Sequence, residues 1–339
     1  GNTTVVDNLG LPAATENRLY EAALAIASRF RLQYLLARGY TDQMTSPDYL
    51  ETADEIAVRV RELAGRHHGA GRISILIGPM VPWGLSREGY KLTRRLADEL
   101  GIGLHIHTAE TEGYGALLEK AFGDPSNIRL YKEGGCLGPD VQLLGCIWVD
   151  DRELDWIAES GTAVIVDPTS TLGLGKGLPP MDKCMERGIP VALATNGMAS
   201  NGGQDMFEVM KNAVGLAKIA GGGRSALSPE KALEIATIEG ARVFGIDHEV
   251  GSLEVGKRAD VITVDLATPF VAPALNVASS LVFSAKGRDV RNVIVDGRIA
   301  VRDGAFQLAD VASVVSRAEA AALAAISRAG LEERTTRAR

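Results

Sequence analysis

The sequence has no block of basic residues, no two cysteines at C-x-x-C spacing and no run of about eighteen apolar residues. With a net charge of −7 and a pI near 5.4, nucleic acid and anionic membrane are poor partners. Cys136, Cys146 and Cys184 lie far apart and read as reduced, buried thiols of a cytoplasmic protein. Nothing is long and apolar enough to span a membrane. The first residues lack a basic stretch followed by an apolar core, so no secretory leader is expected. No internal repeat or low-complexity segment stands out. Residue 1 is Gly rather than Met, and TTVVD follows almost at once. The chain thus opens inside what reads as a strand, and a preceding segment is expected.

What is present suits a large core. Of the 339 residues 46% are hydrophobic, and mean hydropathy is +0.05. Strand-like runs at Thr3–Asp7, Leu32–Ala37, Ile73–Ile77, 103–108, Leu143–Val149, Thr162–Val166 and Val191–Ala194 alternate with amphipathic stretches. Ala13–Phe30, Ser46–Ala64, Ser86–Leu100, Asp151–Ser160 and Pro180–Arg187 are among the expected helices. Seven strand–helix units in series imply a parallel sheet wound with helices, an α/β (β/α)8 TIM-type barrel lacking its first strand. After Asn201 come two further helices, Asp205–Lys218 and Ser228–Phe244. Short strands with Asp-Gly turns at 296–297 and 303–304 then predict a small β appendage. The expected division is a barrel over 1–245, a β portion over 246–308, and a C-terminal helix and tail over 309–339.

One stretch, GLHIHTAET at 103–111, organises the rest. Leu104 and Ile106 alternate with His105 and His107, so both imidazoles share one face of a strand. His107 falls at the strand's C-terminal end and Glu110 on the loop beyond. That end is where barrel enzymes keep their chemistry, and a carboxylate there can serve as acid or base. His105 reads instead as a satisfied interior residue.

Several motifs taken together resemble the amidohydrolase superfamily, in its cytosine/guanine-deaminase and s-triazine-hydrolase branch. They are LHIHTAET at 104–111, DPTSTLGLGKGLPP at 167–180, ATNGMASNGGQDMFEVM at 194–210, and the tail PEKALEIATIEGARVFGI with GSLEVGKRADVITVD. The resemblance covers nearly the whole chain. It implies a hydrolase acting on a C–N or C–halogen bond of a small heterocycle such as a purine, pyrimidine or triazine. It also implies one divalent metal, zinc or iron, with His107 as a ligand and Glu110 as general acid/base. The metal would lower the pKa of a bound water. Asn196 takes the second catalytic position, and Met80, Trp83, Gly145 and Thr171 the substrate-binding ones. A small heterocycle and a second copy of the chain, forming a dimer, are the expected partners.

The sequence also departs from the family pattern. The first-strand H-x-H is absent, Gly145 stands in place of the sixth-strand His, and Asn196 in place of the eighth-strand Asp. Met80 and Thr171 replace a usual His and Asn. Glycine binds nothing through a side chain, and an amide cannot take a proton from water. Weak or no metal occupancy is therefore expected. An alternative is a divergent member with a degenerate metal site that binds a small ligand or runs metal-free chemistry.

Other candidates read as structural. His67-His68 closes a helix, where the dipole favours imidazoles, and His248 reads as solvated. Gly173-Leu-Gly175-Lys-Gly177 is not a phosphate-binding G-x-x-x-x-G-K-[ST] loop, although Lys176 can point into the pocket. Cys146 has no base beside it in sequence.

Overall fold

The computed structural model describes residues 1–224 and 227–332. Strand β1 (Thr4–Leu9) leads to α1 (Arg18–Phe30), then β2 (Gln33–Arg38) to α2 (Ala53–His67) and β3 (Ile73–Ile77) to α3 (Arg87–Leu100). β4 (Leu104–Thr108) is followed by two helices, α4 (Gly113–Phe122) and α5 (Asn127–Glu133). β5 (Val141–Gly145) precedes α6 (Asp151–Ser160), β6 (Ala163–Val166) precedes α7 (Pro168–Leu174) and α8 (Met181–Glu186), and β7 (Val191–Leu193) ends the series. All seven strands are parallel and pair in sequence order, forming a curled half-barrel with β1 and β7 at its edges. This is the expected TIM-type (β/α) architecture with seven strands.

Alternation along the strands builds two apolar layers. Tyr34 and Leu36 of β2 face the helices and join the main core with Ile75, Ile77, Leu104 and Ile106. Their neighbours Leu35 and Ala37 face the other way, packing with Leu76, Ala241, Ile246 and Val250. Leu144, Ala163, Ile165 and Ala192 meet Val243 on that same inner side. The inner face is therefore plugged by the chain around 241–250. Chemistry is left to the strand C-termini.

After β7 come α9 (Met198–Asn201), α10 (Met206–Ala220), α11 (Pro229–Ile235) and α12 (Ile238–Val243). The single helix expected over Ser228–Phe244 is thus two. Thr237 leaves helical geometry with φ −127° and ψ −99°, and its hydroxyl donates back to the Leu233 carbonyl at 2.7 Å. Gly240 lets the second helix close on the first, since a β-carbon there would sit 3.0 Å from the Ile235 carbonyl oxygen.

β8 (Val261–Val264), α13 (Val277–Phe283), β9 (Val290–Val295), β10 (Arg298–Arg302) and β11 (Ala305–Phe306) follow, with the four strands in one antiparallel sheet. The two Asp-Gly pairs make its hairpin turns, with φ of 49° and 75° at Asp296-Gly297 and 49° and 78° at Asp303-Gly304. Helix α14 (Val311–Arg328) is exposed along its length. The expected charged tail beyond residue 332 lies outside the described residues. Among the described residues, no helix is long and apolar enough to cross a membrane.

Candidate active site

The chain leaves β4 by a sharp turn. Ala109 takes φ 42°, in the left-handed region, and its N–H donates to Asn127 Oδ1 at 2.7 Å. The Ala109 carbonyl accepts from Ile147 and Trp148, at 3.1 and 3.0 Å. Pinned on both sides, the turn folds Glu110 back over its own strand, where Glu110 Oε1 meets His107 Nδ1 in a short hydrogen bond. Tyr131 donates to the His107 carbonyl at 3.0 Å and fixes the strand end. Tyr114, one helical turn on, reaches Glu110 Oε1 at 3.5 Å, and Trp83 packs edge-on against the Tyr114 ring with centroids 4.9 Å apart.

Glu110 also has a partner from across the mouth. Lys176 Nζ donates to Glu110 Oε2 at 2.5 Å and to Asp167 Oδ2 at 2.7 Å. All three side chains are nearly inaccessible, at 3%, 8% and 1% for Lys176, Glu110 and Asp167, so this is a buried ion triad. Asp167 ends β6 and opens α7, where its Oδ1 accepts from the Thr171 hydroxyl at 3.2 Å. Asn196, held at φ 59°, donates its amide to Asp167 Oδ2 at 2.6 Å. The same amide's oxygen accepts from the Gly197 N–H at 2.7 Å.

Electrostatics follow from these contacts. Burial pushes the Glu110 carboxyl up, but the hydrogen bond and charge of His107, then Lys176, outweigh it and bring it down to about 2. Burial alone would lower the Lys176 ammonium; Asp167 and Glu110 more than reverse that and hold it above its ordinary value. Glu110 is thus an ionised acceptor and Lys176 a fixed cation. His105, buried behind this pair, is driven down to about 3 by burial and by the charge of His107. It is a neutral interior residue, as expected, but not a satisfied one, because its buried Nδ1 has no partner among the described residues.

The other sequence-derived positions divide. Thr171 is buried against Asp167. Met80 lies over Gly10, where a β-carbon would come within 2.3 Å of its Cε. Gly145 makes room for Glu110, and its φ of +108° with Cys146 at 50° ends β5 four residues earlier than the expected strand. Cys146 itself is fully buried with its thiol pushed well up by burial, which removes it as a nucleophile. His67 pairs with Glu21 at 2.7 Å and His68 accepts from the Ile75 N–H at 3.1 Å, so both are structural. His248 is exposed. Asp167, the first residue of the DPTSTLGLGKGLPP motif, is a strand-end candidate in the sequence, whereas Tyr114 was not singled out. Asp167 was visible as the first residue after an apolar strand, and Tyr114 as an aromatic one turn beyond Glu110.

These residues do not fit a divalent metal. Among the described residues, no group of three or more His, Cys, Asp or Glu is arranged to hold one. Position 145 has no side chain, Asn196 turns its N–H toward Asp167, and an ammonium already bridges the two carboxylates.

Residues 1–300 match the amidohydrolase family. The chain belongs to that family. Among similar amidohydrolases, the 5'-deoxyadenosine deaminase of Methanosarcina acetivorans is 38% identical over 259 residues, which are 76% of this chain and 59% of that protein. The 5-methylthioadenosine/S-adenosylhomocysteine deaminase of Desulforudis audaxviator is 35% identical over 271 residues, 79% of this chain and 63% of that one. The chain therefore spans about three fifths of the length of the curated relatives it matches. An adenosine deaminase from Xanthomonas campestris, crystallised with bound zinc, superposes with a TM-score of 0.85 at 27% identity, over 94% of this chain and 70% of that one. A triazine hydrolase variant shares the fold, with a TM-score of 0.88 at 22% identity over 94% and 72%. A similar amidohydrolase thus carries zinc.

Proposed function

We propose that this amidohydrolase hydrolyses a C–N bond, or a C–halogen bond, of a small heterocycle, with a purine as the first candidate. The His107–Glu110 pair at the C-terminal end of β4 supports this most, because it sets a proton-carrying carboxylate where barrel enzymes act. The names of the similar deaminases supply the purine class. In this reading Glu110 is the proton carrier, with His107 Nδ1 on one carboxylate oxygen and Lys176 on the other. Asn196 and Thr171 hold Asp167, which in turn holds Lys176. Among the substrate-binding candidates Met80, Trp83, Gly145 and Thr171, Trp83 is tied to Glu110 through Tyr114. The same proposal places the protein in the cytoplasm as a dimer, with the three buried free cysteines supporting the compartment.

A second reading, ligand binding or metal-free chemistry by a divergent site, is favoured by the bridged triad of Lys176, Glu110 and Asp167. One experiment separates them. The full chain is incubated with aminated and halogenated purines, pyrimidines and triazines, products are followed by chromatography, and binding by calorimetry. Glu110→Gln should lower turnover by about 10²–10⁴-fold. Equal turnover in the variant would sink the acid/base role. Binding without turnover in the wild type would favour the second reading.

A further inference from the structure

We infer that the Lys176 ammonium is the resident cation of this site, taking over the charge balance that the family gives to a divalent metal. The inference concerns the cation alone and stands whether or not the heterocycle reading holds. Lys176 Nζ sits between Glu110 Oε2 and Asp167 Oδ2 at 2.5 and 2.7 Å. Glu110 carries His107 on its other oxygen, and Asp167 carries Asn196 on the oxygen it gives to Lys176. The ammonium is therefore one carboxylate away from His107, which the family resemblance assigns as a metal ligand, and from Asn196, which stands in place of the eighth-strand Asp.

The lysine is built in rather than stray. Its backbone N–H donates to the Thr171 carbonyl at 3.0 Å, and its carbonyl accepts from Trp148 Nε1 at 2.7 Å. Gly177 follows at φ +128°, a conformation that side chains rarely adopt, and a β-carbon there would come within 2.9 Å of Ile147. Both carboxylates are already engaged on both oxygens: His107 and Lys176 on Glu110, Thr171 with Lys176 and Asn196 on Asp167. A zinc site presents at least three protein ligands. Here a divalent ion would have to displace a cation held by two buried anions, and would meet the donor side of Asn196.

The test uses the full chain, with zinc as the probe ion. Elemental analysis after zinc incubation and desalting should find far less than one equivalent. Neither zinc nor a chelator should move the Tm. Lys176→Met strands two buried carboxylates, and a lost buried partner of this kind should lower the Tm of a chain this long by about 4–7 °C. Should Lys176→Met be insoluble, Lys176→Met with Asp167→Asn removes one charge of each sign and should be soluble and recover most of the Tm. A stoichiometric zinc in the wild type, removed by chelator with a fall in Tm, would overturn the inference. A Lys176→Met chain as stable as the wild type would also overturn it, as would a double variant with no recovery.

Discussion

A β-carbon built on Gly145 would lie 2.6 Å from Glu110 Cγ and 2.6 Å from the Thr108 carbonyl oxygen. The space that a side chain at 145 would need is filled by Glu110, folded back over its strand and held there by His107 and Lys176. The glycine and the position of the glutamate are one arrangement.

Gly145→Ala should therefore destabilise the fold, on two counts. The residue sits at φ +108°, where L side chains are strained, and the new methyl meets backbone on one side. Strain and overpacking of this kind cost about 2–4 kcal/mol together. Urea unfolding checks it, and a loss under about 0.5 kcal/mol, the scale of a neutral surface change, would mean that Glu110 is free to move away.

Much of this was legible in the residues. The alternation in LHIHT put His105 and His107 on one face, and the structure keeps that face inside the half-barrel. The Asp-Gly pairs fixed both hairpins, because few other dipeptides accept two positive φ values in succession. The Lys176 bridge was not legible. It joins a carboxylate sixty-six residues earlier to one nine residues earlier, and such a long-range contact leaves no periodic trace. The break at Thr237 was equally hidden, since Ala, Ile and Glu on either side all favour a helix.

The three cysteines give a simple chemical check. Cys136, Cys146 and Cys184 are all buried and free, and burial pushes each thiol up, to about 12 for Cys136 and Cys184 and well above its ordinary value for Cys146. A thiol reagent at neutral pH should label none of them within minutes in the native chain and all three on unfolding. Rapid labelling of one native cysteine would show that its element opens locally.

Restoring the acidic residue of the family pattern should harm this chain. Asn196 donates to Asp167 Oδ2, so Asn196→Asp replaces a donor by a second acceptor against a buried carboxylate. Its φ of 59° is no obstacle, because aspartate tolerates the left-handed region. The cost at neutral pH should be about 2–3 kcal/mol, the loss of one charge-assisted hydrogen bond plus like-charge repulsion. Two carboxylates in contact can share a proton, which raises one folded-state pKa and recovers stability as pH falls. Urea titrations at about pH 7.5 and about pH 5, near enough to carboxyl pKa values for a shared proton to count, should show the deficit shrinking. A deficit that stays constant would place residue 196 away from Asp167 in solution.

Acid stability has two separable contributions from the 103–111 stretch. His105 is held neutral, down to about 3 from 6.5, and Glu110 ionised, down to about 2 from 4.5. Both folded-state values are depressed, so in both cases the unfolded chain binds more protons at intermediate pH and stability falls as acid is added. The His105 contribution is complete above pH 6.5 and is lost progressively towards 3; that of Glu110 is complete above 4.5 and is lost towards 2. By linkage the His105 term alone reaches about 1.4 kcal/mol at pH 5.5, before Glu110 contributes. His105→Gln removes the titrating ring and keeps a polar side chain. Unfolding free energies from about pH 7.5 down to about 5.5, the range His105 dominates by linkage, should therefore be flatter in the variant. The wild-type slope should stay steeper down to about pH 3, where folded His105 protonates as well, and the two slopes should run parallel only below that. A wild-type curve with no slope between pH 6.5 and 5.5 would mean that His105 protonates inside the folded barrel, and hence that water reaches the inner face behind Phe244, whose ring lies 6.0 Å from the imidazole.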